Sequence, residues 1–261
     1  MLERLASPIP DTLPFEDAAV LPLAVSTAAC GLFQTDQLGL RHPSVNAEPT
    51  GQTLLVWGGS TSVGSNAIQL AAAAGYEVIT TASPRNFEYV RSLGASQAFD
   101  YNSPSVVPDI IAAFEDRRLA GAIAFGTTSA ASCVRIVGAC HGNKFVSIAS
   151  PPVSFDGLAG DNRRRSELPR LILRLITSNV ALQFKSRFRG TRTKYIFGTT
   201  LKANEVAAVI YRDFLPDALA GGRYVAAPEP SVVGHGVQDF QQAMDIQLKG
   251  VSAAKIVVTL P

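Results

Sequence analysis

The chain has 261 residues, enough for one large α/β domain or two modest ones, and is 47% hydrophobic and 17% charged. That balance excludes a disordered segment, and a net charge of +2 gives no general attraction to nucleic acid. Three scattered cysteines, Cys30, Cys133 and Cys140, suggest neither a disulfide framework nor a zinc cluster, so a reducing cytoplasmic setting is expected; no apolar run approaches a membrane span.

Pro8, Pro10 and Pro14 make an extended lead-in to a mostly helical stretch at 15–34, broken near Pro22. Residues 35–52 carry Gly39, Pro43, Pro49 and Gly51 and read as a surface connection. From Thr53, strands near 53–57, 77–82, 97–100, 119–125 and 143–149 alternate with helices near 64–74, 86–93, 106–115 and 129–138. The strands are rich in Val, Ile, Leu and Ala, which predicts a doubly wound parallel sheet of Rossmann type, covered on both faces.

Residues 151–192 break that rhythm. Between Arg163 and Lys194 ten basic residues accompany one acid, Glu167. Leu168, Leu171, Ile172, Leu175 and Ile176 fall at helical spacing with Arg170 and Arg174 opposite, so an amphipathic helix packed on the sheet domain is expected. The sharper alternative is that the basic stretch, with Arg163, Arg164 and Arg165, covers the cleft or meets an anionic carrier, membrane surface or partner. Further on, the pattern predicts a sixth strand at 195–198, a helix near 204–219, short strands near 223–226 and 231–233, a helix near 237–248 and a last strand at 255–260.

The run Trp57-Gly58-Gly59-Ser60-Thr61-Ser62-Val63-Gly64 joins the first buried strand to an alanine-rich helix. That order turns backbone N–H groups and a helix N-terminus toward a pyrophosphate. The motif departs from G-x-G-x-x-G, because Thr61 stands at the middle position; hydroxyls of Ser60, Thr61 and Ser62 would replace some backbone contacts. The alternative is a polar turn without a ligand. After the second strand comes Thr80-Thr81-Ala82-Ser83-Pro84-Arg85-Asn86, with no carboxylate to hold the ribose hydroxyls of NAD. Ser83 can donate to a 2′-phosphate and Arg85 can pair with it, which favours NADPH over NADH; otherwise Ser83-Pro84 only caps a helix and Arg85 is solvated.

Leu21-Pro22-Leu23-Ala24 with Thr27-Ala28, then Gly58 to Gly64, Leu93-Gly94-Ala95 and Phe99-Asp100-Tyr101 carry a family resemblance. The chain resembles the medium-chain dehydrogenase/reductase superfamily, and is most similar to its zinc-independent quinone oxidoreductases and trans-acting enoyl reductases. The resemblance implies that Gly59, Ser60, Thr61, Ser62, Val63 and Gly64 line the pyrophosphate and that Ser83, Arg85 and Asn86 meet the 2′-phosphate. Tyr101 would sit beside the adenosine half, Ser147, Ile148, Val251 and Ser252 near the nicotinamide end, and Thr27, Phe197 and Gly198 beside a small-molecule substrate. Taken alone, Tyr101 reads equally as a surface tyrosine, Thr27 as a helix residue and Val251-Ser252 as a turn.

Members of the superfamily begin with a GroES-like barrel domain, and this chain is expected to start after it. Residues 1–35 would then be an interdomain helical segment, 36–200 the dinucleotide-binding domain, and 201–261 a segment returning to the catalytic domain, whose remnants stand at both ends. Strands of that last segment would lack partners, so low stability or a homo-oligomer is expected. With His42, His141 and His235 as dispersed as the cysteines, no metal is expected. The implied activity is hydride transfer from NADPH to an enoyl or quinone substrate. The sequence has no G-x-S-x-G and no Tyr-x-x-x-Lys; Tyr195 is a conceivable proton donor but reads better as a sheet-packing aromatic. The competing expectation is a non-catalytic NADP(H)-binding protein. A methyltransferase is disfavoured because it too normally wants an acid after the second strand.

Overall fold

In strand β1 (Gln52–Trp57), Leu54 and Val56 join one buried apolar cluster while Leu55 and Trp57 join another. Alternate side chains of a strand leave on opposite faces, so a run apolar at both parities requires cover on both sides. The computed structural model, which describes residues 3–152 and 168–260, provides that cover. Ahead of β1 lie α1 (Phe15–Ala18) and α2 (Leu21–Phe33). After it the chain runs α3 (Ser62–Ala73), β2 (Glu77–Ala82), α4 (Phe87–Ser92), β3 (Gln97–Asp100), α5 (Val106–Ala113), β4 (Arg118–Ala124), α6 (Ser129–Ala139) and β5 (Phe145–Ile148). Then come α7 (Leu168–Phe188) and β6 (Arg192–Tyr195).

All six strands are parallel, in the order β3-β2-β1-β4-β5-β6. This is the Rossmann order, and its winding reverses between β1 and β4, where Trp57 pairs with Ala124. Residues of α2 and α3 pack with Leu54 and Val56, whereas α5 and α6 supply Val107, Ile110, Cys133 and Val137 against Leu55 and Trp57. The stretch Phe15–Phe33 is long and apolar enough to cross a membrane, but half of it is buried inside the protein. Leu21, Val25, Leu32 and Phe33 are all at or below 5% exposure and belong to the core shared with α3.

The remainder is a helical run, α8 (Val206–Ala208) continuing through a π turn at Val209–Phe214 into α9 (Leu215–Ala220), then β7 (Glu229–His235), α10 (Phe240–Lys249) and β8 (Ala254–Thr259). β7 and β8 form a separate two-stranded parallel sheet in which no residue is buried. Val232, Val237, Phe240, Met244 and Leu248 of this unit are exposed.

Three expectations need correction. The sixth strand is Arg192–Tyr195, not 195–198: it is the sheet's edge, so its exposed and half-exposed positions carry Arg, Thr and Lys rather than an apolar run. No strand forms at 223–226; Gln69 Nε2 donates to Val225 O (3.1 Å), and Val225 N–H donates to Gln69 Oε1 (2.9 Å), satisfying that backbone from a helix side chain. The apolar residues Leu168, Ile172 and Ile176 of α7 are exposed, and the helix buries only Leu182 and Ser186 near its far end. Arg163, Arg164 and Arg165 lie outside the described residues.

Candidate functional site

The C-terminal ends of β1, β2 and β4 converge on the turn after Trp57. Gly58 has φ +88°, a conformation disfavoured for side-chain-bearing residues, and its N–H donates to Thr81 Oγ1 at 2.9 Å. The next N–H, of Gly59, donates to Thr81 O at 2.8 Å, so β2 fixes the turn. A Cβ on Gly64 would stand 2.2 Å from Gly58 O, and only glycine lets α3 start this close to the strand end. Phe125 closes the other side: its N–H donates to Trp57 O at 3.0 Å.

Thr61 is the N-cap of α3. Its Oγ1 accepts from Gly64 N–H at 3.1 Å and donates to Gly58 O at 2.7 Å, so its hydroxyl is spent holding the turn. The first-turn N–H groups of Ser62 and Val63 have no intrahelical partner by geometry, and none among the described residues. Ser62 Oγ is a buried oxygen without a hydrogen-bond partner among the described residues. Unspent donors at the start of a 12-residue helix, beside a glycine turn that no Cβ can enter, suit a diphosphate. The residues present therefore fit a dinucleotide's pyrophosphate.

The second crossover lies alongside. Ser83 precedes a short 3-10 turn, Pro84–Asn86, and Arg85 is exposed with no ion pair among the described residues. Asn86 is buried, and its Nδ2 donates to Ser83 Oγ and to Ser252 Oγ, each at 3.1 Å. Ser252, expected at the nicotinamide end, thus sits with Val251 beside the residues assigned to the 2′-phosphate. Tyr101, 46% exposed, follows β3 at the same edge, because Asp100 pairs with Ala82.

Ser147 and Ile148 are placed differently from the rest: both are buried in β5. Ser147 Oγ lies 3.0 Å from Gly31 O and 2.9 Å from Gln37 Oε1, so its hydroxyl fastens the sheet to the α2 region. Just past that strand is the half-buried Ser150, whose Oγ accepts from Gly126 N–H at 2.9 Å; neither residue was singled out from the sequence. On the opposite side Thr27 and Gly198 do come together, since a Cβ on Gly198 would stand 3.5 Å from Thr27 Oγ1. Thr27 Oγ1 donates to Leu23 O at 2.9 Å, and Phe197 is 65% exposed. Tyr195 donates its hydroxyl to Asn179 Oδ1 at 2.6 Å, and its pKa is raised by burial, partly offset by that bond. Among the described residues no group of three or more His, Cys, Asp or Glu is placed to hold a metal.

No protein-family model matches the chain. It is 48% identical over 261 residues to the dehydrogenase pigH of Monascus ruber, covering 100% of this chain and 69% of that protein. It is 36% identical over 258 residues to the trans-enoyl reductase himH of Aspergillus japonicus, covering 99% of this chain and 66% of the relative. The crystal structure of CurK enoyl reductase shares the fold with a TM-score of 0.67 at 16% identity, over 97% of this chain and 64% of that one. The chain thus spans about two thirds of the length of these proteins. With a 3-2-1-4-5-6 sheet, a glycine turn at its crossover point and full-length relatives among dehydrogenases and trans-enoyl reductases, the chain belongs to the medium-chain dehydrogenase/reductase superfamily.

Proposed function

We propose that the chain is an NADPH-dependent, zinc-independent oxidoreductase acting on an enoyl or quinone-type small molecule. One observation carries the reading. An anion-ready turn at the β1/β4 switch point is flanked by a second crossover offering Ser83 and Arg85 where a carboxylate would repel a 2′-phosphate.

NADPH, when bound, supplies the hydride that such a reduction needs. The chain's own residues bind and orient. Ser62 and Val63 N–H, with the Ser60 and Ser62 hydroxyls, receive the pyrophosphate between Gly59 and Gly64, while Thr61 holds the turn. Ser83 and Arg85 receive the 2′-phosphate, and Tyr101 flanks the adenosine. Ser147 and Ile148 support the nicotinamide end from within β5, and Thr27, Phe197 and Gly198 border the substrate. Zinc independence is supported by the dispersal of Cys30, Cys133, Cys140, His42, His141 and His235 along the chain.

The exposed apolar residues Val232, Phe240, Met244 and Leu248 support a role for the C-terminal unit in packing against another body. For this chain we propose self-association into a homo-oligomer. Three unpaired, buried thiols support a reducing, cytoplasmic setting.

The test is absorbance at 340 nm with NADPH and, in turn, an α,β-unsaturated ketone, an enoyl thioester and a benzoquinone. Substrate-dependent loss of NADPH is expected with at least one. Saturable NADPH binding with no oxidation by any of them would reduce the function to nucleotide binding.

A further inference from the structure

We propose that α7 is a membrane-surface helix: its outward apolar ridge enters the interface of an anionic lipid bilayer while its basic flank meets the headgroups. The proposal is independent of which cofactor the chain binds.

Part-buried Leu171 and Leu175 and buried Leu182 hold α7 against the domain, Leu182 joining the cluster that contains Cys133 and Val137 of α6. At 3.6 residues per turn, Leu173, Val180 and Phe184 fall within about 40° of one another around the axis, roughly opposite Leu182 and Ser186. This second apolar stripe therefore points away from the protein. With Ile176 and Phe188 it forms a ridge about 22 Å long, whose side chains range from 49% exposed at Val180 to 94% at Phe188. So many large apolar residues in one exposed line mark a surface that meets another body or lipid.

Charge decides between occupants. From Leu168 to Tyr195 the chain carries seven basic residues and no acid. Arg170, Arg174 and Lys185 share one flank of the ridge, within about 60° around the axis. Neither they nor Arg187 make an ion pair among the described residues. A second copy laid on the ridge in either direction would set basic side chains against basic ones, which disfavours self-pairing. A specific protein partner is met by charges arranged to fix register and reject wrong partners. One sign of charge beside a continuous apolar ridge suits a uniformly anionic, fluid surface, where no register is needed. Val180, Phe184, Arg187 and Arg192 also line an open groove of about 650 Å³ between α7 and β6. There a lipid phosphate would find two guanidinium groups beside an apolar wall.

Flotation of the whole chain with phosphatidylcholine vesicles, with and without phosphatidylserine, tests the proposal. Binding to the anionic vesicles is expected, and it should fall as salt rises. Arg170→Gln/Arg174→Gln should weaken that binding roughly tenfold or more. Leu173→Gln/Phe184→Gln changes two exposed positions, so it should abolish binding without altering the thermal melt. Phe184→Trp should give an emission that shifts to the blue on anionic vesicles and is quenched by brominated lipid. Failure of the parent to bind anionic vesicles, or undiminished binding by either double variant, overturns the proposal. A parent oligomer that Leu173→Gln/Phe184→Gln dissociates would assign the ridge to a second copy and overturn it too. Capture by an immobilised acidic helical peptide, without vesicle binding, would assign it to a protein partner instead.

Discussion

The side chain of Gln69 makes both hydrogen bonds of the Val225 backbone: Val225 N–H donates to Oε1 at 2.9 Å, and Nε2 donates to Val225 O at 3.1 Å. This is the donor–acceptor pair that a neighbouring strand would offer. One turn earlier on α3, Asn66 donates to Ala227 O and to Ser62 O, both at 2.8 Å, and accepts from the Tyr224 hydroxyl at 2.5 Å. Two amides on one face of α3 thus moor the C-terminal segment to the helix whose N-terminus faces the candidate phosphate site.

Gln69→Leu keeps the side chain's bulk and removes both bonds. It should destabilise the chain by about 1 kcal/mol, because a part-buried N–H and C=O lose their partners. Limited proteolysis near 221–228 should quicken in parallel. Unchanged urea stability and unchanged cleavage would show that the mooring lies elsewhere.

Tyr224 is fully buried, and burial holds its phenol well above the usual value near 10, with Tyr211 adding to the shift; Tyr89 and Tyr211 are likewise raised, first by burial. The folded chain keeps these protons to higher pH than the unfolded chain does. Stability is therefore whole below about pH 10 and falls as pH climbs from there through the raised folded values. Urea unfolding at pH 8 and pH 10.5 should show that loss. Tyr224→Phe should cost about 1–3 kcal/mol at pH 8, by stranding Asn66 Oδ1, and should flatten the alkaline decline. An equally steep decline in the variant would remove Tyr224 from the account.

Gly64→Ala tests the turn. The new Cβ would meet Gly58 O at 2.2 Å and Gly59 Cα at 2.9 Å, both backbone, so the start of α3 must move away from β1. A destabilisation of about 1–3 kcal/mol is expected, together with loss of nucleotide binding. Wild-type binding by Gly64→Ala would contradict the placement of the pyrophosphate.

Arg85→Ala leaves no fixed cation at the second crossover. NADPH binding should weaken roughly tenfold or more while NADH is little changed, as expected for a charge-assisted contact to phosphate. Equal weakening of both cofactors would remove Arg85 from the 2′-phosphate subsite.

The parallel sheet was legible because its inner strands must be apolar on both faces: Leu54-Leu55-Val56 and the stretch Leu119–Ala124 admit little else. The edge was not, since Arg192-Thr193-Lys194 faces solvent and reads as a loop until Phe145 to Ile148 is seen beside it. Of the candidate site, the glycine turn and Ser83 were legible from local chemistry. Asn86–Ser252 was not, because a contact spanning 166 residues leaves no periodic trace. The burial of Ser147 was not legible for a related reason: only the folded sheet shows that its hydroxyl, near a strand end, turns toward Gly31 and Gln37.

Calorimetric titration of the folded chain with NADPH and with NADH tests the central claim most directly. The account predicts saturable uptake of both, with NADPH the tighter. Folded material that takes up no NADPH at millimolar concentration would contradict it.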